Sequence, residues 1–342
     1  MRPRLALTRG VRLVVAGAVA ATVVSAFSAQ AAAPACTGSP TKVLSTSKVL
    51  GLSGSYVLPA KAPSSLIVFA HGYRSSASAW QKAMVEAASK HNAIAVAVDY
   101  RGLKSADESY GGWPVKAGSE DLAKVVATFT KSCRSISTRA VYSAGMGGNV
   151  AGLAIAHNPS LFTYWVDVEG ATDLVDLWTS LSAIGGVCTP TGTCLPGLDT
   201  YYASTRSDLE GAAGGTPYDN KAGYDAIDAS TQLRAAGAVA LKGAAVVHAV
   251  ADGSELISEG LEMRAVLQTK SVPTDLYTVG TGNTGKDRTL AGEAGVHGDP
   301  MAGYEPDGTA GAVVLNTGLT ALWGMVDKAG TKPSGQLTPV NS

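Results

Sequence analysis

The sequence predicts an α/β fold, a mostly parallel central sheet with helices on both faces and one insertion. Three observations predict it. Leu66-Ile67-Val68-Phe69-Ala70 and Ile94-Ala95-Val96-Ala97-Val98 are continuous apolar runs, the pattern of strands buried on both faces. Segments with helical periodicity fall between such runs, the alternation that builds parallel sheets. Polar or glycine-bearing turns follow the strands directly: His71-Gly72, Asp99-Tyr100-Arg101-Gly102, Glu169-Gly170 and Asp252-Gly253. The carboxyl ends of strands are where chemistry sits in such sheets.

The elements follow in order. Residues 1–31 have the form of a secretory signal peptide. Arg2, Arg4, Arg9 and Arg12 precede an apolar stretch over 13–24, and Ala29-Gln30-Ala31 fits the small-residue cleavage rule. The apolar stretch is short for a membrane span, so cleavage after Ala31 and a secreted, extracellular product without a span are expected. Residues 32–42 form a loose lead, and 43–59 hold the first strands. Strands are expected over 66–70, 94–98, 164–168, 244–250 and 275–279. Helices are expected over 77–91, 146–157, 256–269 and 310–327. Another begins at Ser119-Glu120-Asp121, an N-cap pattern, and runs to Thr130. Residues 171–225 break the rhythm with Trp178, Tyr201-Tyr202 and a glycine-rich stretch, and read as a lid over the site. One large domain, 32–330, is expected, with a frayed tail over 331–342.

Without residues 1–31 the chain carries 23 basic and 27 acidic residues, a formal charge of −4. It has no basic stripe, so nucleic acid is not an expected partner. The four cysteines suit an export compartment and allow three pairings. Cys188 and Cys194 flank a five-residue loop with Pro190 and Gly192, which favours a local staple and leaves Cys36 with Cys133. No C-x-x-C, phosphate loop or nucleotide motif occurs, so neither a metal nor a cofactor is expected.

The segment Val141-Tyr142-Ser143-Ala144-Gly145-Met146-Gly147-Gly148-Asn149-Val150-Ala151 reads as a strand, a tight turn and a helix. It resembles the G-x-S-x-G elbow that presents a nucleophilic serine. Two frames fit. In one, Ser143 is the nucleophile and the flanking positions that must be small hold Val141, Gly145 and Met146. In the other, Gly145 occupies the nucleophile slot, and those positions hold Ser143, Gly147 and Gly148, all small. A glycine also takes the strained turn backbone without penalty. The second frame gives a seven-residue strand over 138–144, and sterics favour it.

With these pieces in place the chain resembles the α/β-hydrolase family, in its secreted esterase, lipase and peptidase neighbourhood. The resemblance runs from about Leu66 to Asp327. Besides the elbow it rests on Phe69-Ala70-His71-Gly72-Tyr73, Val98-Asp99-Tyr100-Arg101-Gly102, Val246-Val247-His248-Ala249-Val250-Ala251-Asp252-Gly253 and Ala294-Gly295-Val296-His297-Gly298. It implies that Asp252 is the triad acid and His297 the general base, following the elbow in the chain order this family uses. It implies an oxyanion hole at the Gly72-Tyr73 turn. The donors would be the N–H of Tyr73 and that of the residue after the nucleophile, Met146 in the Gly145 frame or Ala144 in the Ser143 frame. His71 would shape that loop, while His248 reads as a core residue and Glu169, Asp173 and Glu255 as structural carboxylates.

Three functional readings result. The first is hydrolysis of a carboxylic ester, less readily an amide, through Ser143, His297 and Asp252, on a small ester, acyl or peptide-like substrate. The second is ligand binding without turnover, with Gly145 in the slot. The third is a His297–Asp252 enzyme with no covalent intermediate. The first is the reading the family favours; the steric argument points to the other two.

Overall fold

In chain order the elements are β1 (Val43–Ser45), α1 (Ser47–Leu50), β2 (Gly54–Val57), β3 (Ser65–Ala70), α2 (Gln81–Lys90), β4 (Ala93–Val98), α3 (Val115–Ser132), β5 (Thr138–Ala144) and α4 (Met146–His157). They continue as β6 (Tyr164–Val168), α5 (Leu174–Ile184), α6 (Leu198–Ala213), α7 (Lys221–Ile227), α8 (Ala229–Ala235), β7 (Gly243–Ala249), α9 (Ile257–Thr269), β8 (Thr274–Val279), α10 (Ala310–Val326) and β9 (Leu337–Val340). The structure is a computed structural model, and it describes residues 33–104, 111–184, 198–250, 256–279, 310–327 and 332–340. All of these belong to one unit, Ala31–Ser342. No helix among the described residues is long and apolar enough to cross a membrane.

The strands form one sheet in the order β1-β2-β4-β3-β5-β6-β7-β8-β9. β2 runs antiparallel to both β1 and β4, and every pairing from β4 through β9 is parallel. The apolar runs are continuous because both faces are covered. On one face Ile67, Phe69, Tyr142, Val166 and Val247 pack with Trp80 and Met84 beside α2 and with Leu319 and Leu322 of α10. On the other, Leu66, Val68, Val141, Trp165 and Val246 pack against Phe129 of α3, Val150 of α4, Leu233 of α8 and Met263 of α9. Successive residues of one strand therefore feed opposite cores, as the two-residue period of a strand requires.

The predicted strands and their order are reproduced to within one residue at each end outside the first strands, and three features differ. The helix α3 starts at Val115, four residues earlier than the cap pattern suggested. Ser119 donates back to Lys116 O (2.7 Å) instead of capping, and buried Asp121 accepts from the backbone N (2.9 Å) and Nε (2.5 Å) of Arg101. The segment from Thr331 contributes an edge strand, β9, in place of a frayed tail. Asp275 Oδ1 accepts the N–H groups of Ser334, Gly335 and Gln336, each at 2.9 Å, which sets the turn that feeds β9. Pro339 fits there because an edge strand has one side without ladder bonds. Finally, the expected lid region holds α5, α6 and α7 among its described residues.

Cys36 and Cys133 form a disulfide with a Cα–Cα distance of 5.5 Å, fastening the N-terminal lead to the end of α3. Closing a loop with a sequence separation of 97 stabilises the fold by about 2–5 kcal/mol. Cys188 and Cys194 lie outside the described residues.

Candidate active site

β5 ends at Ala144 and α4 begins at Met146, so Gly145 alone makes the turn between them. Its dihedrals are φ +52° and ψ −126°, which a residue with a Cβ reaches only at a cost of about 1–3 kcal/mol. Its N–H donates to Val168 O (3.1 Å), and its carbonyl accepts from Gly148 N (2.8 Å) and Ala171 N (3.1 Å). The turn is thus fixed to β6 and to the loop beyond it. The two glycines that follow are there for space. A Cβ at Gly147 would lie 2.7 Å from the carbonyl carbon of Ala70 and 2.9 Å from His71 O, and one at Gly148 would lie 2.5 Å from Asp167 Oδ1. These close approaches fall two and three residues after Gly145, the spacing expected if Gly145 holds the slot.

Ser143 is placed two residues before the turn, inside β5, and is fully buried. Its hydroxyl accepts from Trp165 Nε1 (2.8 Å) and lies within donating distance of Asp167 Oδ1 (2.9 Å) and Val166 O (3.1 Å). The hydroxyl is engaged in the core instead of standing exposed at the elbow, which is the physical difficulty for the frame that makes Ser143 the nucleophile. Ser143→Ala leaves the indole N–H of Trp165 without its acceptor, and a buried orphan of that kind costs about 1–3 kcal/mol. Urea unfolding is expected to show that loss.

The loop after β3 faces the turn. His71 is fully buried and stacks on Tyr100 with ring centroids 4.1 Å apart. Its Nδ1 lies 2.9 Å from Gly72 O, and Tyr100 Oη donates to His71 O at 2.9 Å. Burial holds the imidazole below its ordinary pKa despite the Gly72 carbonyl and nearby Asp99, so His71 is neutral at neutral pH. It therefore acts as a spacer that shapes the loop. Gly72 O also accepts from Ser75 N (3.3 Å), which closes the turn carrying Tyr73. Met146 is the first residue of α4, so its N–H belongs to the helix start that has no intrahelical acceptor.

Positive φ values cluster at this edge. Arg74 (+58°), Gly145 (+52°) and Glu169 (+46°) follow β3, β5 and β6, three adjacent strands. Among the described residues, the other non-glycine cases, Asn92 and Ser271, sit in turns after α2 and α9. Strain of this sort persists only where the surroundings fix it, and it gathers at functional sites. Glu169 is 3% exposed, and its N–H donates to Val247 O (2.8 Å), which places it between the ends of β5 and β7.

The segment that follows β6 is anchored by carboxylates. Glu259 Oε2 accepts from Thr172 N (2.8 Å), Asp228 Oδ2 from Leu174 N (2.7 Å), and Asp173 Oδ1 from Val175 N (3.1 Å) and Asp176 N (2.9 Å). Across the site, Asp208 of α6 meets Tyr73 Oη (2.7 Å), Lys104 Nζ (2.5 Å) and Gly112 N (2.7 Å). Ser204, one turn earlier, accepts from Arg74 Nη2 at 2.6 Å. Burial pushes the Asp208 carboxyl up, but Lys104, Tyr73 and the Gly112 N–H outweigh it and hold the group below its usual range. Because the folded pKa is depressed, this contact stabilises the fold above the ordinary carboxylate pKa of about 3.9 and is lost as pH falls through the depressed value. Burial, then Asp208, raises the Tyr73 phenol, so it remains a donor at neutral pH.

The structure thus brings Gly72, Tyr73, Gly145 and Met146 to one edge of the sheet and withdraws Ser143 into the core. Asp252 and His297, the triad acid and base implied by resemblance, lie outside the described residues. Asp208, Ser204 and the strained backbones of Arg74 and Glu169 were not legible as site features. A helix with an aspartate on it carries no signal that the residue meets a loop 135 positions away.

No family model matches the chain, and no curated protein matches it. Solved structures do. The structure titled DphMB1 superposes with a TM-score of 0.55 at 18% identity, covering 83% of this chain and 84% of that one. A Mycobacterium tuberculosis puromycin-hydrolysing peptidase superposes with a TM-score of 0.51 at 13% identity, over 88% of this chain and 41% of that one. Porphyromonas gingivalis dipeptidyl peptidase 4 gives 0.47 at 14% identity, over 69% and 31%. The chain spans about a third of the length of this last protein and two fifths of the one before it. The sheet and the two superpositions with TM-scores above 0.5 define the α/β-hydrolase fold.

Proposed function

We propose that this chain binds a small carboxylic ester or acyl compound where β3, β5 and β6 end, and hydrolyses it without forming an acyl-enzyme. The observation that carries this reading is Gly145: it has the backbone of an elbow residue, φ +52° and ψ −126°, and no side chain to acylate. A water in that space attacks the carbonyl carbon and gives its proton to His297, which Asp252 orients, as the family resemblance implies. The tetrahedral oxyanion is met by the N–H groups of Tyr73 and Met146, the carbon–oxygen bond breaks, and the departing alkoxide takes the proton back from His297. Secretion is part of the proposal: the 1–31 segment and the Cys36–Cys133 disulfide both suit an oxidising compartment.

The same glycine favours a second reading, ligand binding without turnover, because the slot lacks the group the fold ordinarily uses. The test is hydrolysis of p-nitrophenyl esters across pH, with and without prior exposure to a fluorophosphonate. The expected result is slow, pH-dependent turnover that survives the reagent, shows no adduct by intact mass and falls about 10²–10⁴-fold in His297→Ala. Saturable ester binding with no product selects the second reading. A stoichiometric adduct on Ser143 overturns both.

A further inference from the structure

The loop that carries Tyr73 is held from outside as well as by its own Ser75-to-Gly72 hydrogen bond. It leaves β3 at Ala70, and by Arg74 its backbone has turned to φ +58°. Two side chains from α6 grip it. Asp208 takes the Tyr73 hydroxyl at 2.7 Å, and Ser204 takes the Arg74 guanidinium at 2.6 Å. The same Asp208 carboxylate holds Lys104 Nζ at 2.5 Å and Gly112 N at 2.7 Å, so it joins three segments distant in sequence. Its side chain is only 11% exposed. The Tyr73 ring itself is buried against Trp113, with centroids 5.5 Å apart, so the hydroxyl has a fixed line of approach. The start of α4 packs on the carbonyls of Ala70 and His71, where no Cβ fits at Gly147. The loop is therefore held by α4 at its start and by α6 at Tyr73 and Arg74.

We propose that Asp208 is a positioning residue: it latches α6 onto the Tyr73 loop, so that the anion-binding N–H of that loop is set only while α6 is docked. This rests on the reading of the site given above, and it adds that the lid and the oxyanion hole are one device. With α6 lifted, Tyr73 loses its hydroxyl acceptor and Arg74 loses one of the groups that hold its left-handed backbone. An oxyanion donor is worth about 10²–10³-fold in rate when it is aimed at the charge, so a small rotation of the loop changes anion binding much more than it changes neutral-ligand binding.

The test compares two non-reacting probes by calorimetry. The phenyl hexylphosphonate anion has the charge and tetrahedral shape of the ester transition state, and N-phenylheptanamide is its neutral, planar counterpart. Asp208→Ala is expected to weaken phosphonate binding at least tenfold and to leave amide binding within twofold, in protein whose circular dichroism and Cys36–Cys133 disulfide are intact. Tyr73→Phe keeps the backbone N–H and should give the same selective loss. The double variant should be no worse than Asp208→Ala alone, because the contact that Tyr73→Phe removes is already gone. A variant that merely loosens the fold would lower both affinities together. Equal loss for both probes, additive losses in the double variant, or full phosphonate affinity in Asp208→Ala each overturns the latch while leaving the ester-site reading in place. Failure of the unaltered protein to bind either probe removes that reading, and the latch with it.

Discussion

Gly145→Ser is expected to acquire a stoichiometric fluorophosphonate adduct at position 145, whereas the unaltered chain acquires none. The turn at Gly145 already has the positive-φ backbone of an elbow residue, and Gly147 and Gly148 already let α4 pack closely against β3 and β6. The substitution leaves both of those features in place. The cost falls on the backbone, about 1–3 kcal/mol for a residue with a Cβ at φ +52°, and should appear as a modest drop in unfolding free energy. The gain in reactivity is all or none, because the slot passes from having no nucleophile to having one, which the proposed base His297 would activate. Peptide mapping locates the adduct. Ser143→Ala in the same background should label equally well, since Ser143 contributes only to the core. An unlabelled but folded Gly145→Ser variant would show that no base serves this position, and it would remove the hydrolytic reading.

Gly147→Ala is expected to be among the most destabilising single-methyl changes the chain can suffer, about 3–5 kcal/mol, read from urea unfolding or from failure to accumulate as folded protein. The added Cβ meets backbone on every near side: the carbonyl carbon of Ala70 at 2.7 Å, its oxygen closer still, and His71 O at 2.9 Å. A side chain in the way could rotate, but these atoms belong to the last residue of β3 and the one just after it, and β3 is hydrogen-bonded on both flanks to β4 and β5. The only relief is for α4 to move away from the sheet, which carries Met146 away from the Tyr73 loop. Gly211→Ala is the control: it also adds one methyl to a helix, at a position with nothing within 4 Å, and should be neutral or slightly stabilising.

What could be read in the sequence follows from how local its cause is. The limits of β5 and α4 were legible because small residues at fixed spacing around Gly145 leave one frame that packs without strain. The buried strands were legible because a sheet covered on both faces needs unbroken apolar runs. The start of α3 was misplaced because Ser119, a good cap by type, bonds back to Lys116 instead. β9 was missed because an edge strand with a proline has half its ladder and little apolar content, and the contact that fixes it comes from Asp275, some sixty residues earlier. The helices α5, α6 and α7 were hidden for a similar reason. α6 has no clean apolar stripe, and its fit to the site runs through Asp208 and Ser204, polar residues whose partners are chosen only by the folded chain.

The bond between Cys36 and Cys133 makes the N-terminal part of the described fold a covalent ring. That ring contains β1 to β4, the Tyr73 loop, Lys104, Gly112 and all of α3, while Gly145 and the helices α5 to α7 lie outside it. A protease that cuts once anywhere between positions 36 and 133 thus produces no separate fragments: the Tyr73 loop stays joined to the strand that leads into Gly145. Such a nicked molecule keeps its mass apart from one added water, and comes apart only when a reductant opens the ring.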